Sequence, residues 1–124
     1  MKCSKAKSLM SEYMDDALET AQSVKIEHHL VECGVCRSEL ASVRQTRSRG
    51  YAYTDVGVVP GTRAIAVPIL DHTREPVAAI SIAATTARLP AARLAVLVEL
   101  MKEQAELISR RLAEIDRARA KAKK

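Results

Sequence analysis

The sequence predicts an α+β protein in which a small three-helix N-terminal unit precedes a short antiparallel sheet packed on a long C-terminal helix. Three observations predict it. The apolar residues of the first 45 positions recur at helical spacing. After Gly50, two runs rich in Ile, Val and Ala are joined by six residues of turn composition, which indicates a β-hairpin. From Pro90, a favourable first residue for a helix, an apolar stripe of helical period continues to Ile115.

Three helices are expected before residue 46. The first carries apolar residues at three- and four-residue steps, namely Leu9, Met10, Tyr13, Met14 and Leu18. The second runs roughly from Thr20 to Leu30 and is expected to direct four residues to a common interior, namely Val24, Ile26, His29 and Leu30. The third begins around Cys36 and carries Leu40 and Val43. Helices this short do not hold together by apolar burial alone, so a metal or a partner is expected to contribute.

The second half is expected to contain three strands and one helix. Residues 63–70 and 77–84 form the hairpin, and a shorter strand lies near residues 51–54. Pro68 lacks an N–H, which predicts that its strand lies at an edge of the sheet or is bulged there. The predicted domains are residues 1–45, a linker at 46–50, residues 51–116 and a basic tail at 117–124.

Composition and charge exclude several classes of protein. The net charge of +5 resides in the tail, which has five basic residues and no acidic one, so the rest of the chain is electrically balanced. Because the chain has no Trp or Phe and only three Tyr, a single-strand binder that stacks bases is not expected. No apolar stretch is long enough to cross a bilayer, and three cysteines do not suggest a disulfide framework. We expect a cytoplasmic protein without a membrane partner.

The three cysteines and one histidine form the most informative pattern. On a helix, His29 and Cys33 lie one turn apart on the same face, and Cys36 follows three residues later. Cys3 can supply a fourth ligand, which predicts a closed Cys3His site for Zn²⁺ that pins the three helices together. His28 lies off this face. Two alternatives remain open: the cysteines are small buried apolar residues, or thiol oxidation expels the metal as a redox switch.

Residues 1–45 resemble the zinc-binding anti-sigma domain, a family of small helical proteins that sequester sigma factors. The matching features are Cys3 near the start, the helix at residues 9–18, and the His-x3-Cys-x2-Cys run followed by residues 37–40. The resemblance implies Cys3, His29, Cys33 and Cys36 as zinc ligands and a protein partner such as a sigma factor.

Residues 49–115 resemble the C-terminal part of the effector-binding domain of IclR-type transcription regulators. The matching positions are residues 49–52, 60–69, 71, 74–82, 88–89 and 108–112. The resemblance implies a pocket for a small carboxylic acid. Ser81 matches a pocket serine, Thr62 and Ala64 match pocket-wall positions, and Asp55 lies in a loop that is often acidic in the family. The chain departs from the pattern at Ala83, where many members have a second serine.

The sequence therefore predicts a zinc-binding regulatory protein, in which an anti-sigma-like module is joined to a partial effector-binding or dimerisation module. The alternative is an IclR-type regulator fragment that binds a small organic acid and acts on transcription through DNA or another regulator. Direct DNA binding is not expected, because we find no recognition helix. An enzyme is not expected, because a zinc ion with four protein ligands has no open position. The open sheet edge or the C-terminal helix is expected to form a homodimer contact.

Overall fold

The computed structural model describes residues 1–55 and 59–124; residues 56–58 of the predicted 51–116 domain lie outside this description. The chain divides into two compact units, Met1–Ser48 and Arg49–Lys124. The helices and strands are, in order, α1 (Cys3–Ser8), α2 (Met10–Met14), α3 (Thr20–Glu32), α4 (Gly34–Arg49), β1 (Ala52–Thr54), β2 (Thr62–Leu70), β3 (Pro76–Thr85) and α5 (Ala91–Ala122). The prediction of an α+β fold, with an antiparallel sheet packed on a long C-terminal helix and helices before it, is confirmed.

The predicted first helix is two short helices. The break falls at Leu9, whose N–H bonds to the Ala6 carbonyl at 3.1 Å. The expectation that Leu18 lies on this helix is wrong, because Asp16 adopts a left-handed backbone with φ 52°, which a right-handed helix does not accommodate. Leu18 nevertheless packs, partly buried, against the core of the first unit.

The second and third predicted helices are present as α3 and α4. Val24 is exposed, contrary to the prediction. Residues two positions apart on a helix are rotated by about 200° around its axis, so Val24 faces away from buried Ile26. α4 begins before Cys36, at Gly34, and includes residues 46–49 of the predicted linker. It ends where Gly50 takes a φ of +77°, a conformation that suits glycine after the last turn of a helix. The core of this unit consists of Ala6, Leu9, Met10, Ile26, Leu30, Cys36 and Leu40.

The sheet of the second unit is antiparallel, in the order β1-β2-β3. The predicted hairpin is confirmed to within one residue at each end. β2 is the central strand, so the expectation of an edge strand is wrong for the strand as a whole. Its pairing with β1 stops at Ala66, however, so in the described sheet Pro68 has a neighbouring strand on the β3 side only. The N–H that proline lacks would point to the side without a neighbour, so no hydrogen bond between strands is lost. The register shifts between Ile69 and Leu70, close to Pro68.

α5 covers one face of this sheet. Pro90 caps the helix, one residue before its first turn, rather than forming its first residue. The core between helix and sheet consists of Ile65, Val67, Ile69, Leu89, Val98, Met101 and Ala105. Ile108 and Ile115, predicted in the apolar stripe, are exposed. α5 is about 48 Å long and β2 about 30 Å, so the last turns of the helix extend beyond the sheet. No helix among residues 1–55 and 59–124 is both long enough and apolar enough to span a bilayer.

Candidate functional site

The junction between α3 and α4 positions two of the cysteines. α3 ends at Glu32, and Cys33 follows with an extended backbone, its N–H still bonded to the His29 carbonyl at 2.8 Å. The Cys33 carbonyl in turn accepts the N–H of Arg37 at 3.0 Å, in the first turn of α4. The chain therefore changes direction at one residue, and Cys36 returns to the same side one turn later.

Arg37 stabilises this junction, a role that the sequence analysis did not identify. Its Nη1 donates to the carbonyl oxygens of Leu30 at 2.7 Å and Val31 at 2.9 Å. These carbonyls belong to the last turn of α3, where helix hydrogen bonds run out and a cation is favourable. An arginine shortly after a predicted helix end is the sequence signal that could have indicated this capping role.

The structure brings Cys3, His29, Cys33 and Cys36 together. Their candidate ligand atoms all lie within 4.8 Å of one another. The Sγ atoms of Cys3 and Cys33 are 3.8 Å apart, too far for a disulfide bond. Two sulfurs bound to one tetrahedral zinc at about 2.3 Å would be separated by about 3.8 Å. The donor set of three sulfurs and one nitrogen therefore fits Zn²⁺ in both chemistry and size.

His29 carries an independent indication of a ligand. Its Nε2 is buried and makes no hydrogen bond, whereas buried polar atoms are paired in the great majority of cases. His28 points elsewhere: it is exposed and lies 3.5 Å from the Glu32 carboxylate. Of the cysteines, only Cys36 is fully buried, while Cys3 is exposed and Cys33 is half-buried. The alternative that the cysteines are small buried apolar residues therefore fits Cys36 but not Cys3 or Cys33.

The thiols of the cluster differ in acidity. The backbone N–H of Cys36 bonds to the Cys33 sulfur and holds the pKa of Cys33 below its ordinary value, and the Cys3 thiol contributes in the same direction. Burial raises the pKa of Cys36 to about 11, and hydrogen bonds with its two neighbouring thiols add to the effect. In the metal-free chain, Cys33 is therefore ionised before Cys36.

Three of the four predicted effector-site residues share one surface. The register pairs Ala64 with Ala83 and Ala66 with Ser81, and side chains alternate along a strand. Thr62, Ala64 and Ser81 therefore lie on the sheet face opposite to α5, where Ser81 is exposed. Asp55 is not part of this group. Its carboxylate accepts a bond of 2.6 Å from Nε of Arg63, whose Nη1 donates to the Leu89 carbonyl at 3.0 Å. Arg63 also holds the pKa of Asp55 below its ordinary value.

The antiparallel sheet on a long helix is an arrangement that this chain shares with solved structures of bacterial transcriptional regulators. The family model described as "Bacterial transcriptional regulator IclR C-terminal" matches residues 2–110, and the chain belongs to this family. No family match supports the anti-sigma resemblance of the first 45 residues.

Individual relatives agree with this assignment. The HTH-type transcriptional regulator BhcR of Paracoccus denitrificans is 40% identical over 65 residues, which are 52% of this chain and 23% of BhcR. The C-terminal domain of the E. coli transcriptional regulator KdgR aligns with a TM-score of 0.55 at 31% identity, over 60% of this chain and 45% of that domain. The Thermotoga maritima IclR aligns with a TM-score of 0.54 at 34% identity, over 64% of this chain and 31% of its own. The chain therefore spans less than half the length of each of these relatives.

Proposed function

We propose that this chain is a transcription-regulatory module of the IclR type whose N-terminal unit is held together by a structural zinc ion. The observation that carries the proposal is the convergence of Cys3, His29, Cys33 and Cys36 within 4.8 Å, in a chain of a regulator family. The ion would bind three thiolates and the Nε2 of His29, which is otherwise without a hydrogen-bond partner.

The composition of the cluster supports a structural role rather than a catalytic one. Catalytic zinc sites keep one coordination position open for water or substrate, whereas four protein ligands fill a tetrahedron. The apolar core of the helical unit is also too small to stabilise it alone, since it contains seven side chains, of which Ala6 and Cys36 are small. A bound ion would supply the missing stability. Zinc would join α1, which carries Cys3, to the junction of α3 and α4.

Native mass spectrometry of the full chain, purified without added metal, tests this proposal. We expect one zinc ion per chain, and loss of that ion in the Cys33→Ser and Cys36→Ser variants. Ser38→Ala is the matched control, because Ser38 is exposed and lies two residues after Cys36 on the same helix. Absence of bound metal in a chain whose circular dichroism shows full helicity would refute the proposed structural zinc ion and leave the family assignment intact.

We propose a small carboxylic acid as the effector, bound on the sheet face that carries Thr62, Ala64 and Ser81. The exposed Ser81 hydroxyl can donate to a carboxylate, whereas the Thr62 hydroxyl already donates to the Val59 carbonyl at 2.6 Å and would contribute its side chain to the wall of the site. Titration calorimetry with a panel of small mono- and dicarboxylates tests the proposal. We expect at least one acid to bind and its affinity to fall in Ser81→Ala but not in Ser38→Ala. Equal affinity for both variants would exclude this face.

A protein partner is the second candidate for the N-terminal unit. Three of its valines, Val24, Val31 and Val35, are exposed, and Val24 and Val31 lie two helical turns apart on the same side of α3. Exposed apolar side chains on one side of a helix suit a protein contact, and we propose a sigma factor as the partner solely on the resemblance of residues 1–45 to the anti-sigma domain. Calorimetric titration with a purified sigma factor tests this. Binding should weaken in Val31→Glu, whereas binding unaffected by that change, or no binding, would contradict it.

A further inference from the structure

A cleft between the end of β2 and one side of α5 belongs to neither of the sites described above. Its volume is about 280 Å³, just below the range of about 300–1,000 Å³ that is typical of pockets for drug-sized molecules. Val67 and Ala105, both buried, form its apolar wall. All of its lining residues belong to the second unit. The cleft therefore suits a small metabolite rather than a large ligand.

The strand edge that borders the cleft offers a hydrogen-bond acceptor and no free donor. Thr86 donates to the Gly61 carbonyl at 3.0 Å, and bonding alternates along an antiparallel pair, so the odd-numbered residues of β2 bond to β3. Pro68 therefore directs its carbonyl to the other side, beyond the end of the pairing with β1. Pro68 has no N–H, and the N–H of Leu70 already donates to Oγ of Ser109 at 3.2 Å. A ligand at this edge has to supply the donor, for which an ammonium group is suited.

Two cationic side chains stand at opposite ends of the cleft. Lys102 lies at one end, with its Nζ 5.6 Å from the ring centre of Tyr51. Lys102 and Ser109 are about 10 Å apart along α5, and the bond between Ser109 and Leu70 places the end of β2 at the other end of the cleft. Arg74 lies there, in the turn that joins β2 to β3. The cleft can therefore hold an anionic group at each end.

The turn fixes the backbone of Arg74 and leaves its side chain free. Arg74 has a φ of 70°, a left-handed conformation that glycine adopts more readily. Its N–H donates to the Asp71 carbonyl at 3.1 Å, and the Asp71 carboxylate accepts the N–H groups of Thr73 and Glu75. The Arg74 guanidinium makes no hydrogen bond or ion pair with any part of the chain that the structure describes. Backbone outliers cluster at ligand sites, and an unpaired guanidinium on such a residue indicates a role in binding.

A carboxylate completes the charge pattern of the cleft. Glu106 lies one helical turn after Lys102, on the same side of α5. Its ion pair with Arg110 is long, at 3.7 Å, and exposed. The pair of Lys102 with Glu99, at 3.8 Å, is also exposed. Such pairs contribute little, so both groups are available to a ligand. The cleft thus presents two cations, one carboxylate and one carbonyl oxygen.

We propose that this cleft binds a free acidic α-amino acid, such as glutamate or aspartate. One carboxylate of the ligand pairs with Arg74, whose guanidinium suits a carboxylate in a bidentate arrangement, and the other pairs with Lys102. The ammonium group donates to the Glu106 carboxylate and the Pro68 carbonyl. A simple dicarboxylate would leave Glu106 unpaired beside two anionic groups, and a simple amine would leave both cations unpaired. The proposal goes beyond the effector proposed above, because the cleft lies on the α5 side of the sheet, and it does not depend on the metal.

Titration calorimetry of the full chain with glutamate, glutarate and γ-aminobutyrate tests the charge pattern. Glutarate lacks the ammonium group of glutamate, and γ-aminobutyrate lacks one of its carboxylates. We expect glutamate to bind and each of the other two to bind about tenfold more weakly or worse, the scale of one lost hydrogen bond between charged groups. Equal affinities for glutamate and glutarate overturn the proposal, as does the absence of binding by both glutamate and aspartate.

Two variants test the residues of the cleft. Arg74→Gly removes the guanidinium and relieves the left-handed backbone, so a folding defect does not account for a loss of binding. This change and Glu106→Gln should each weaken glutamate binding by about tenfold or more. Arg88→Gln, at an exposed arginine outside the cleft, is the matched control and should bind as the wild type does, as should Ser81→Ala on the effector face. Unchanged binding in Arg74→Gly overturns the proposal, and a loss in Ser81→Ala instead assigns the amino acid to the effector face.

Discussion

Replacement of His29 by alanine is the most informative perturbation of the N-terminal unit. The change removes the one nitrogen ligand of the proposed site and leaves the apolar core untouched. His28→Ala is a closely matched control, since it removes the same side chain from the neighbouring position. His28 is exposed and contacts only Glu32 among the ionic partners described, at 3.5 Å. A non-specific effect of losing an imidazole should appear in both variants.

The expected magnitude follows from the helix lengths. Structural zinc contributes about 10–16 kcal/mol of apparent free energy in zinc-finger peptides, which is comparable to the whole stability of a domain at about 5–15 kcal/mol. Loss of the ion should therefore unfold the unit. Its helices contain 6, 5, 13 and 16 residues, against 32 in α5. More than half of the helical residues would be lost.

Far-ultraviolet circular dichroism and metal analysis together measure this outcome. We expect His29→Ala to bind less than one zinc ion per chain and to lose about half of the helical signal, as should the wild-type chain after treatment with a strong chelator. His28→Ala should match the wild type in both measurements. A His29→Ala variant with a full equivalent of zinc would refute the ligand assignment. Unchanged helicity after complete removal of the metal would refute the coupling between zinc and folding.

Three further predictions concern the second unit. Ile65→Ala should lower the free energy of unfolding by about 2–5 kcal/mol in thermal denaturation, because Ile65 is buried under α5, whereas exposed Val77 should tolerate alanine within about 0.5 kcal/mol. Arg74→Gly should raise the stability by about 1 kcal/mol in the same assay, since Arg74 has a φ of 70°; a loss would show that its side chain matters more than its backbone. A hydrogen bond from the Thr73 hydroxyl, and to a lesser degree bonds from backbone N–H groups, hold the pKa of Asp71 below its ordinary value. The charged carboxylate therefore stabilises the hairpin above about pH 4, and this stabilisation is lost as the pH falls through the lowered pKa. The difference in melting temperature between wild type and Asp71→Ala should therefore be largest near neutral pH and shrink in acid, and a constant difference would contradict it.

The secondary structure of the second unit was predictable because its signals are local. Alternating Ile, Val and Ala, a polar turn and a long helical stripe define the hairpin and α5 without reference to the rest of the chain. The errors arose where a local rule depends on neighbours. Pro68 indicated an edge strand or a bulge; β2 is central, but it lacks a β1 neighbour at Pro68 and its register shifts just beyond, between Ile69 and Leu70. Val24 fitted an apolar pattern by type, but its angular position on α3 directs it to solvent.

The candidate sites show the same division. The spacing of His29, Cys33 and Cys36 indicated a ligand set, but whether Cys3 reaches it depends on the packing of α1 against α3 and α4, which spacing does not describe. The structure also adds Arg37, whose bonds to two α3 carbonyls fix the junction. For the effector face, the sequence named four positions, and the strand register separates Asp55 from the other three.

The sequence by itself determined the α+β class, the hairpin, the long helix and the candidate ligand run of His29, Cys33 and Cys36, because these depend on residue type and short-range period. The tertiary structure alone decided that the Cys3 sulfur converges with the ligand atoms of His29, Cys33 and Cys36, and that Asp55 is separated from Thr62, Ala64 and Ser81. The physical reason is that convergence and exposure depend on the directions of side chains and backbone groups in packed elements. Those directions are fixed by strand register and helix rotation rather than by any local run of residues.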